Sequence, residues 1–121
     1  MTHKDLIVWK KGIELVKNIY RITDSFPKSE QFGLTSQMRR CAISIPSNIA
    51  EGCGRNSDKE LINFLYIALG SSSELETQLI ISVELDFLEE EKATECINQL
   101  NEIIKMTTSL IKSVKSRTRI S

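Results

Sequence analysis

Basic side chains are the residues of this sequence whose type and spacing best suit a chemical task, the binding of phosphate groups. Lys10 and Lys11 lie in the first predicted helix, Arg39 and Arg40 in the second, and Arg55 in the loop that follows. Contact with a phosphate backbone needs only positive charge and reach, so these five side chains are the candidate nucleic-acid contacts. Few exposed aromatic residues accompany them, and no stacking platform for single strands is evident. The alternative, that they solubilise an ordinary protein surface, stays open.

Covalent and metal chemistry have much less support. A nucleophile needs a histidine or a comparable base beside it, and His3 is the only histidine. The three cysteines, Cys41, Cys53 and Cys96, are odd in number and widely spaced, which argues against a disulfide framework. A di-iron bundle would require repeated Glu-x-x-His, and the sequence contains none. We therefore expect no catalytic residues, no metal and no cofactor.

The segment RRCAISIPSNIAEGCGR, residues 39–55, has a proline in its middle and closes on GCGR. A phosphate-binding loop is a poor match because GCGR lacks the G-x-x-x-x-G-K-[ST] spacing and follows no predicted strand. An anion held by Arg55 and the backbone amides of the next helix stays an alternative.

A kinked helix explains the same segment without a ligand. Pro46 removes a backbone hydrogen bond and collides with the carbonyl four residues earlier, which predicts a kink. The polar groups of Ser44 and Asn48 are available to the freed carbonyl, and Glu51 lies on the side away from the apolar stripe. Gly52 is a natural left-handed stop for the helix.

Hydrophobic periodicity predicts four long amphipathic helices with short connections. Their approximate ranges are 5–26, 34–51, 57–87 and 90–117. The third begins with a capping box formed by Ser57 and Glu60. Such helices form an antiparallel up-down-up-down bundle. The sequence therefore predicts an all-α fold with one domain over residues 1–121, its second helix kinked at Pro46.

The first helix carries two apolar stripes, where a bundle helix normally needs one. Trp9, Ile13, Val16 and Tyr20 form one stripe, and Leu15, Ile19, Ile22 and Phe26 form the other. One stripe can face the core while the other faces a second subunit; deeper burial within a single bundle is the alternative. In the third helix the small residues of 68–76, Gly70 among them, predict the close approach of a neighbouring helix.

Charge is balanced overall but unevenly distributed. The chain has sixteen basic and sixteen acidic residues, with nine acids and one base within 57–91. It lacks the global positive charge typical of nucleic-acid binders. No apolar run approaches the roughly 20 residues of a membrane span, and the charged start does not suit a signal peptide. We expect a cytoplasmic protein without a membrane partner.

Two stretches, FGLTSQMRRCAISIPSNIAEGCGR and FLYIALGSSSELETQL, resemble a bacterial family called four helix bundle protein or 23S rRNA-intervening sequence protein. The resemblance covers about residues 5–115. The matching positions are Arg40, Ser44 to Pro46, Asn48 to Gly52, Arg55, Ala68, Gly70, Ser71 and Glu74. The family is similar to the accessory protein of diversity-generating retroelements, a ring-shaped homopentamer of four-helix protomers that binds nucleic acid. The resemblance thus implies a closed homo-oligomer, a homopentamer by this analogy, and nucleic-acid binding.

These observations predict a non-enzymatic homo-oligomeric bundle that acts as a binding or scaffolding protein on structured RNA. Its partners would be further copies of itself and RNA or a nucleic-acid-processing protein. The alternative is a protein–protein adaptor with no nucleic-acid contact, which would use the acidic third helix or the surface of a ring. A small-molecule or metal site inside the bundle has little support.

Overall fold

A computed structural model describes the backbone of residues 2–120 and the side chains of residues 2–117. Its long helices are α1, Ile7–Thr23, α2, Leu34–Cys53, α3, Asp58–Glu84, and α4, Glu90–Ile120. Short 3-10 turns at His3–Asp5 and Lys28–Glu30 precede α1 and α2. The described residues contain no strand, so the prediction of an all-α four-helix fold is confirmed.

The four helices pack in a closed circuit in which each helix touches two neighbours. Contacts join α1 to α2, α2 to α3, α3 to α4 and α4 back to α1, and the described residues show none across either diagonal. Neighbouring helices run in opposite directions: Lys11 reaches Glu102, whereas Asn18, further along α1, reaches Gln99, earlier in α4. The other three pairs of neighbouring helices show the same antiparallel order. Between α1 and α2, Gly12 faces Pro46 and Thr23 contacts Arg39; between α2 and α3, Ser44 contacts Ser71 and Met38 contacts Ser82. Between α3 and α4, Asp58 contacts Arg117 and Tyr66 contacts Lys115.

Aliphatic side chains from all four helices fill the centre. One of the two stripes of α1 is buried there, and its members are Leu15, Ile19, Ile22 and Phe26. Each such side chain contributes about 1.5–3 kcal/mol by leaving water. The Phe26 ring also meets Phe87 at a centroid distance of 5.8 Å, which closes the bundle at the end where α3 turns into α4.

The connections begin and end the helices by local hydrogen bonds. Ser57 caps α3 as predicted, since its hydroxyl accepts from the backbone amide of Glu60 at 3.2 Å. The Glu60 carboxylate accepts from the same hydroxyl at 3.3 Å, so only the Ser57 half of the predicted capping box is formed. α3 ends at Glu84, three residues before the predicted end, in a Schellman motif: the amide of Phe87 donates to the carbonyl of Ser82. Asp86 takes the left-handed position of that motif, with φ of 61°.

α2 continues through Pro46 to Cys53. The amide nitrogen of Asn48 donates to the Ser44 carbonyl at 2.7 Å and to the Ser44 hydroxyl at 2.9 Å, so this side chain braces the turn that contains the proline. The ring of Pro46 packs against α1 at Gly12, where an added Cβ would lie 3.2 Å from the proline Cβ. The kink itself stays a prediction.

Two glycines have roles other than the predicted ones. Gly52 does not end α2 in a left-handed conformation, because it lies inside the helix and is buried against α3. A Cβ there would lie 3.0 Å from Phe64 Cβ, so Gly52 permits close helix packing. Gly70 does not bring a neighbouring helix close, since an added Cβ would meet nothing within 4 Å. The close approach is made instead by Ser71 and Ser72.

Candidate functional site

An apolar groove runs along the outside of α1 and α2. Two adjoining cavities of about 470 and 270 Å³ share Trp9 and Ile13 and open on this side. We call it the α1–α2 groove and define it by Ile7, Trp9, Ile13, Val16 and Ile43. Ile7 is 61% exposed and Ile43 is 40% exposed. Of the second stripe of α1, Ile13 is 36% exposed and Tyr20 is 40% exposed, whereas Trp9 and Val16 are half-buried against the core, so the stripe is only partly covered by its own bundle.

A second apolar surface lies on the outside of α3. We call it the α3 face and define it by Tyr66, Ile67, Ile80, Ile81 and Leu85, whose exposed fractions run from 41% to 53%. Ile80 also lines a shallow cleft of about 180 Å³ between α3 and α4. α1 and α3 occupy diagonal positions in the bundle, so the α1–α2 groove and the α3 face point in different directions.

Arg39, one of the five predicted phosphate contacts, is engaged with α1. Its Nε donates to Thr23 Oγ1 at 2.9 Å, and its guanidinium carbon lies 4.5 Å from the centroid of the Tyr20 ring. This arrangement satisfies the buried hydroxyl of Thr23 and leaves the guanidinium stacked on an aromatic ring. Arg39 therefore ties α2 to the end of α1.

Arg55 is engaged at the loop between α2 and α3. It pairs with Glu51 at 3.1 Å and with Glu60 at 3.5 Å, and its guanidinium carbon lies 4.8 Å from the centroid of the Phe64 ring. Two carboxylates around one guanidinium leave little positive charge for an outside anion. The alternative of an anion site at Arg55 thus has no support in this geometry.

The remaining predicted contacts lie apart from one another. Lys10 and Lys11 flank the α1–α2 groove, and Lys11 Nζ pairs with Glu102 of α4 at 2.8 Å. Arg40 lies on the opposite flank of α2, against α3. Within residues 2–117 the side chains of Lys10 and Arg40 make no hydrogen bond or ion pair. The five basic residues thus do not converge on one patch.

A polar groove of about 300 Å³ separates α2 from α3 on the flank that bears Arg40. We define it by its lining residues, which are Gln37, Arg40, Cys41, Ser44, Ser71 and Glu74. The two serine hydroxyls lie 2.8 Å apart, and the Cys41 thiol donates to the Ser71 carbonyl at 3.0 Å. The sequence analysis considered several of these residues one at a time. They line one groove only because α2 and α3 pack with these side chains facing each other.

The thiols and the single histidine do not form a reactive centre. Burial, with a smaller effect of the nearby Glu74 charge, raises the pKa of the Cys41 thiol to about 12. Burial likewise raises the pKa of Cys96 to about 11, so both thiols are protonated at neutral pH. His3 lies edge-on to Trp9 at a centroid distance of 5.2 Å. The described residues hold no group of three or more His, Cys, Asp or Glu side chains suited to a metal.

The α3 face is the feature that sequence reasoning missed. The heptad-like stripe of α3 drew attention to its buried side, whereas the isoleucines between those positions carried the signal of a second surface. Tyr66 and Ile67 form one exposed apolar cluster, and Ile80, Ile81 and Leu85 form a second cluster about 20 Å further along α3, with exposed polar residues between them. Among the described residues, no helix combines the length and hydrophobicity that a membrane crossing requires.

The fold is similar to a solved structure whose own function is unknown. A protein of unknown function from the S23 ribosomal protein family of Bacteroides thetaiotaomicron superposes with a TM-score of 0.79 at 28% sequence identity. The superposition covers 88% of this chain and 99% of that one. No curated protein matches the sequence. The family model described as 23S rRNA-intervening sequence protein matches residues 4–109, and the chain belongs to that family.

Proposed function

We propose that this protein is a non-enzymatic, cytoplasmic scaffold that assembles into a closed homo-oligomer and binds structured RNA. The observation that carries the proposal is the pair of exposed apolar surfaces, the α1–α2 groove and the α3 face. Leaving both in water costs free energy that burial against another subunit recovers, at about 25 cal/mol for each Å². Because the two surfaces differ and lie on diagonal helices, pairing one with the other is head-to-tail, and the closed homo-oligomer of the proposal is the case in which the rotation between subunits closes into a ring.

Charge supports a head-to-tail pairing of the groove with the α3 face. Lys10 stands beside the α1–α2 groove with no ion pair among the described side chains, whereas Lys11 is paired with Glu102 and Glu14 is paired with Lys17. The end of α3 and the start of α4 are acidic, and the acids there are Glu84, Asp86, Glu89, Glu90 and Glu91. Opposite charges at the edges of two apolar surfaces favour this pairing over a symmetric contact of either surface with itself. Five copies in the ring are what the family resemblance implied.

Two variants test the head-to-tail contact. Ile13→Lys places a base in the α1–α2 groove, and Ile80→Lys places a base on the α3 face, so a contact between the two altered surfaces would bring like charges together. Neither variant can associate with itself, because every contact in the ring uses both surfaces. A mixture of the two retains one intact groove and one intact face, so we expect a heterodimer and no larger species. If Ile80→Lys alone still forms dimers, the contact is symmetric and the head-to-tail arrangement is wrong.

RNA binding is supported by the family and by the unpaired cations. Lys10 and Arg40 are exposed and free of ion pairs within the described side chains. A ring repeats each of them, so weak contacts with RNA add up in the assembly. Filter binding of 23S rRNA fragments across salt concentrations tests this, with affinity falling steeply as salt rises. Negligible binding at low salt would remove RNA from the proposal.

A protein–protein adaptor is the second candidate, and the acidic corner at the α3–α4 turn favours it. Leu85 is 53% exposed and stands among the acids of that corner, which suits a basic amphipathic partner. This candidate predicts a monomeric chain that binds another protein through the α3 face. Retention of that partner after nuclease treatment, together with loss on Ile80→Lys, would favour the adaptor.

A further inference from the structure

The polar groove between α2 and α3 is left unused by the proposed assembly. Its floor is made of small side chains, the Cys41 thiol and the Ser44 and Ser71 hydroxyls, which leave the space that larger residues would fill. Arg40 and Glu74 are exposed at the same groove. No ion pair joins them within the described residues, although they carry opposite charges and line one cavity.

Hydrogen-bond accounting leaves one free donor at the centre of the groove. The Ser44 hydroxyl accepts from the Asn48 amide at 2.9 Å and shares one hydrogen with the Ser71 hydroxyl at 2.8 Å. Two hydroxyls carry two hydrogens, and one is used between them, so the other is available to a ligand. The amide of Gln78 donates to Glu74 at 3.4 Å, which leaves the other carboxylate oxygen free to accept.

The charges select the class of ligand. An isolated phosphate would bind Arg40 and be repelled by Glu74, whereas an amine would bind Glu74 and be repelled by Arg40. A neutral, planar ligand with donors on one edge and acceptors on the next satisfies both. Nucleobases have this chemistry, and a single base fits a space of about 300 Å³.

We propose that the polar groove binds an unpaired guanine base. Guanine combines two adjacent N–H donors, N1 and N2, on its Watson–Crick edge with two acceptors, O6 and N7, on its Hoogsteen edge. The donors match the carboxylate of Glu74, and the acceptors match the guanidinium of Arg40. Adenine, cytosine and uracil lack one or both of these pairs. The inference rests on the proposed RNA binding for the source of the base; a free guanine nucleotide is the other source.

Inosine supplies the sharpest test, because it keeps O6, N7 and N1–H and lacks only the N2 amino group. A uridine oligonucleotide with one central guanosine is compared with the same oligonucleotide carrying inosine, by fluorescence anisotropy on the intact protein. We expect binding to inosine to be about tenfold weaker, since one hydrogen bond to a charged group is lost. Glu74→Gln removes the charge and one of the two acceptor oxygens and should reduce the difference, and the charge-matched control Glu84→Gln on the same helix should preserve it.

Titration of the protein with guanosine monophosphate or adenosine monophosphate separates the two sources of the base. The readout is the amide chemical shifts of Ser71 and Glu74. Shifts with the guanine nucleotide alone, without any oligonucleotide binding, would support the groove as a nucleotide site and overturn the RNA part of the proposed function. Equal binding of guanosine and inosine oligonucleotides, with no shift from either nucleotide, would overturn the guanine site and leave RNA binding intact. Circular dichroism of Glu74→Gln verifies that the variant is folded.

Discussion

Arg39 and Arg40 are adjacent in the chain, yet their side chains belong to different sides of the bundle. Successive residues on an α-helix point about 100° apart, so one side chain meets Tyr20 of α1 and the other lines the groove beside Glu74 of α3. The sequence analysis placed both among the five candidate phosphate contacts. The types and positions of the residues were readable from the sequence, but the rotation of α2 about its axis follows from how all four helices pack.

Gly52 and Gly70 make a matched pair at the residue scale. A Cβ at Gly52 would lie 3.0 Å from Phe64 Cβ and 3.3 Å from the Leu61 carbonyl oxygen, and neither is the end of a flexible side chain. Gly52→Ala should therefore destabilise the protein by about 1–3 kcal/mol, measured by urea unfolding.

Gly70→Ala is the control for the same measurement. Its Cβ would enter open space on an exposed helix interior, so the gain in helix propensity is about 0.5–1 kcal/mol. Equal effects of the two substitutions would contradict the assignment of Gly52 to a close helix contact.

The buried thiols give a pH prediction. The folded state holds the Cys41 proton until a pKa of about 12, whereas the unfolded thiol ionises near its ordinary value of 9.0. The contribution of the protonated Cys41 thiol to the free energy of unfolding is therefore complete below pH 9.0 and is lost as the pH rises toward 12.

Iodoacetamide at about pH 8 should label the exposed Cys53 well before Cys41 or Cys96. Equal labelling rates in the folded protein would contradict this packing.

Among the elements, the connection between α3 and α4 contains one strained backbone position that a substitution can relieve. Asp86 holds a φ of 61°, a position that glycine takes at less cost, and its negative charge lies at the unfavourable end of the helix dipole. Asp86→Gly should raise the free energy of unfolding by about 0.5–1 kcal/mol, and Asp86→Asn by a few tenths, in urea titrations.

Asp86→Ala serves as the opposite control, because its Cβ keeps the steric cost while the polar side chain is lost. We expect it to be less stable than the parent chain. A gain in stability from alanine would mean that the left-handed turn is not what limits this connection.

The helices themselves were predictable because their apolar spacing and the Ser57 cap are local signals. Their ends were less so. α1 ends at Thr23, three residues before the predicted Phe26, where the Thr23 hydroxyl folds back onto the carbonyl of Ile19 at 2.7 Å. Gly52 resembled a helix stop because glycine serves both as a stop and as a close contact. Only the position of α3 distinguishes these uses.

At the scale of the whole molecule, the doubled stripe of α1 was a correct signal of an exposed apolar surface. The apolar side chains outside α3 were overlooked because the heptad-like stripe of that helix accounts for its buried side, and the exposed isoleucines lie between those positions. Assembly is a property of both surfaces together, and it depends on their shape as well as on their residue types. The oligomer and its RNA partner therefore could not be predicted from the apolar pattern of one helix alone.

The solution mass of the purified protein, measured by light scattering, tests the central claim most directly. We expect a closed assembly of about five times the protomer mass of 13.7 kDa, with a further increase when 23S rRNA fragments are added. A mass of 13.7 kDa at all protein concentrations, unchanged by RNA, would contradict it. In that case the two apolar surfaces would serve a different protein partner.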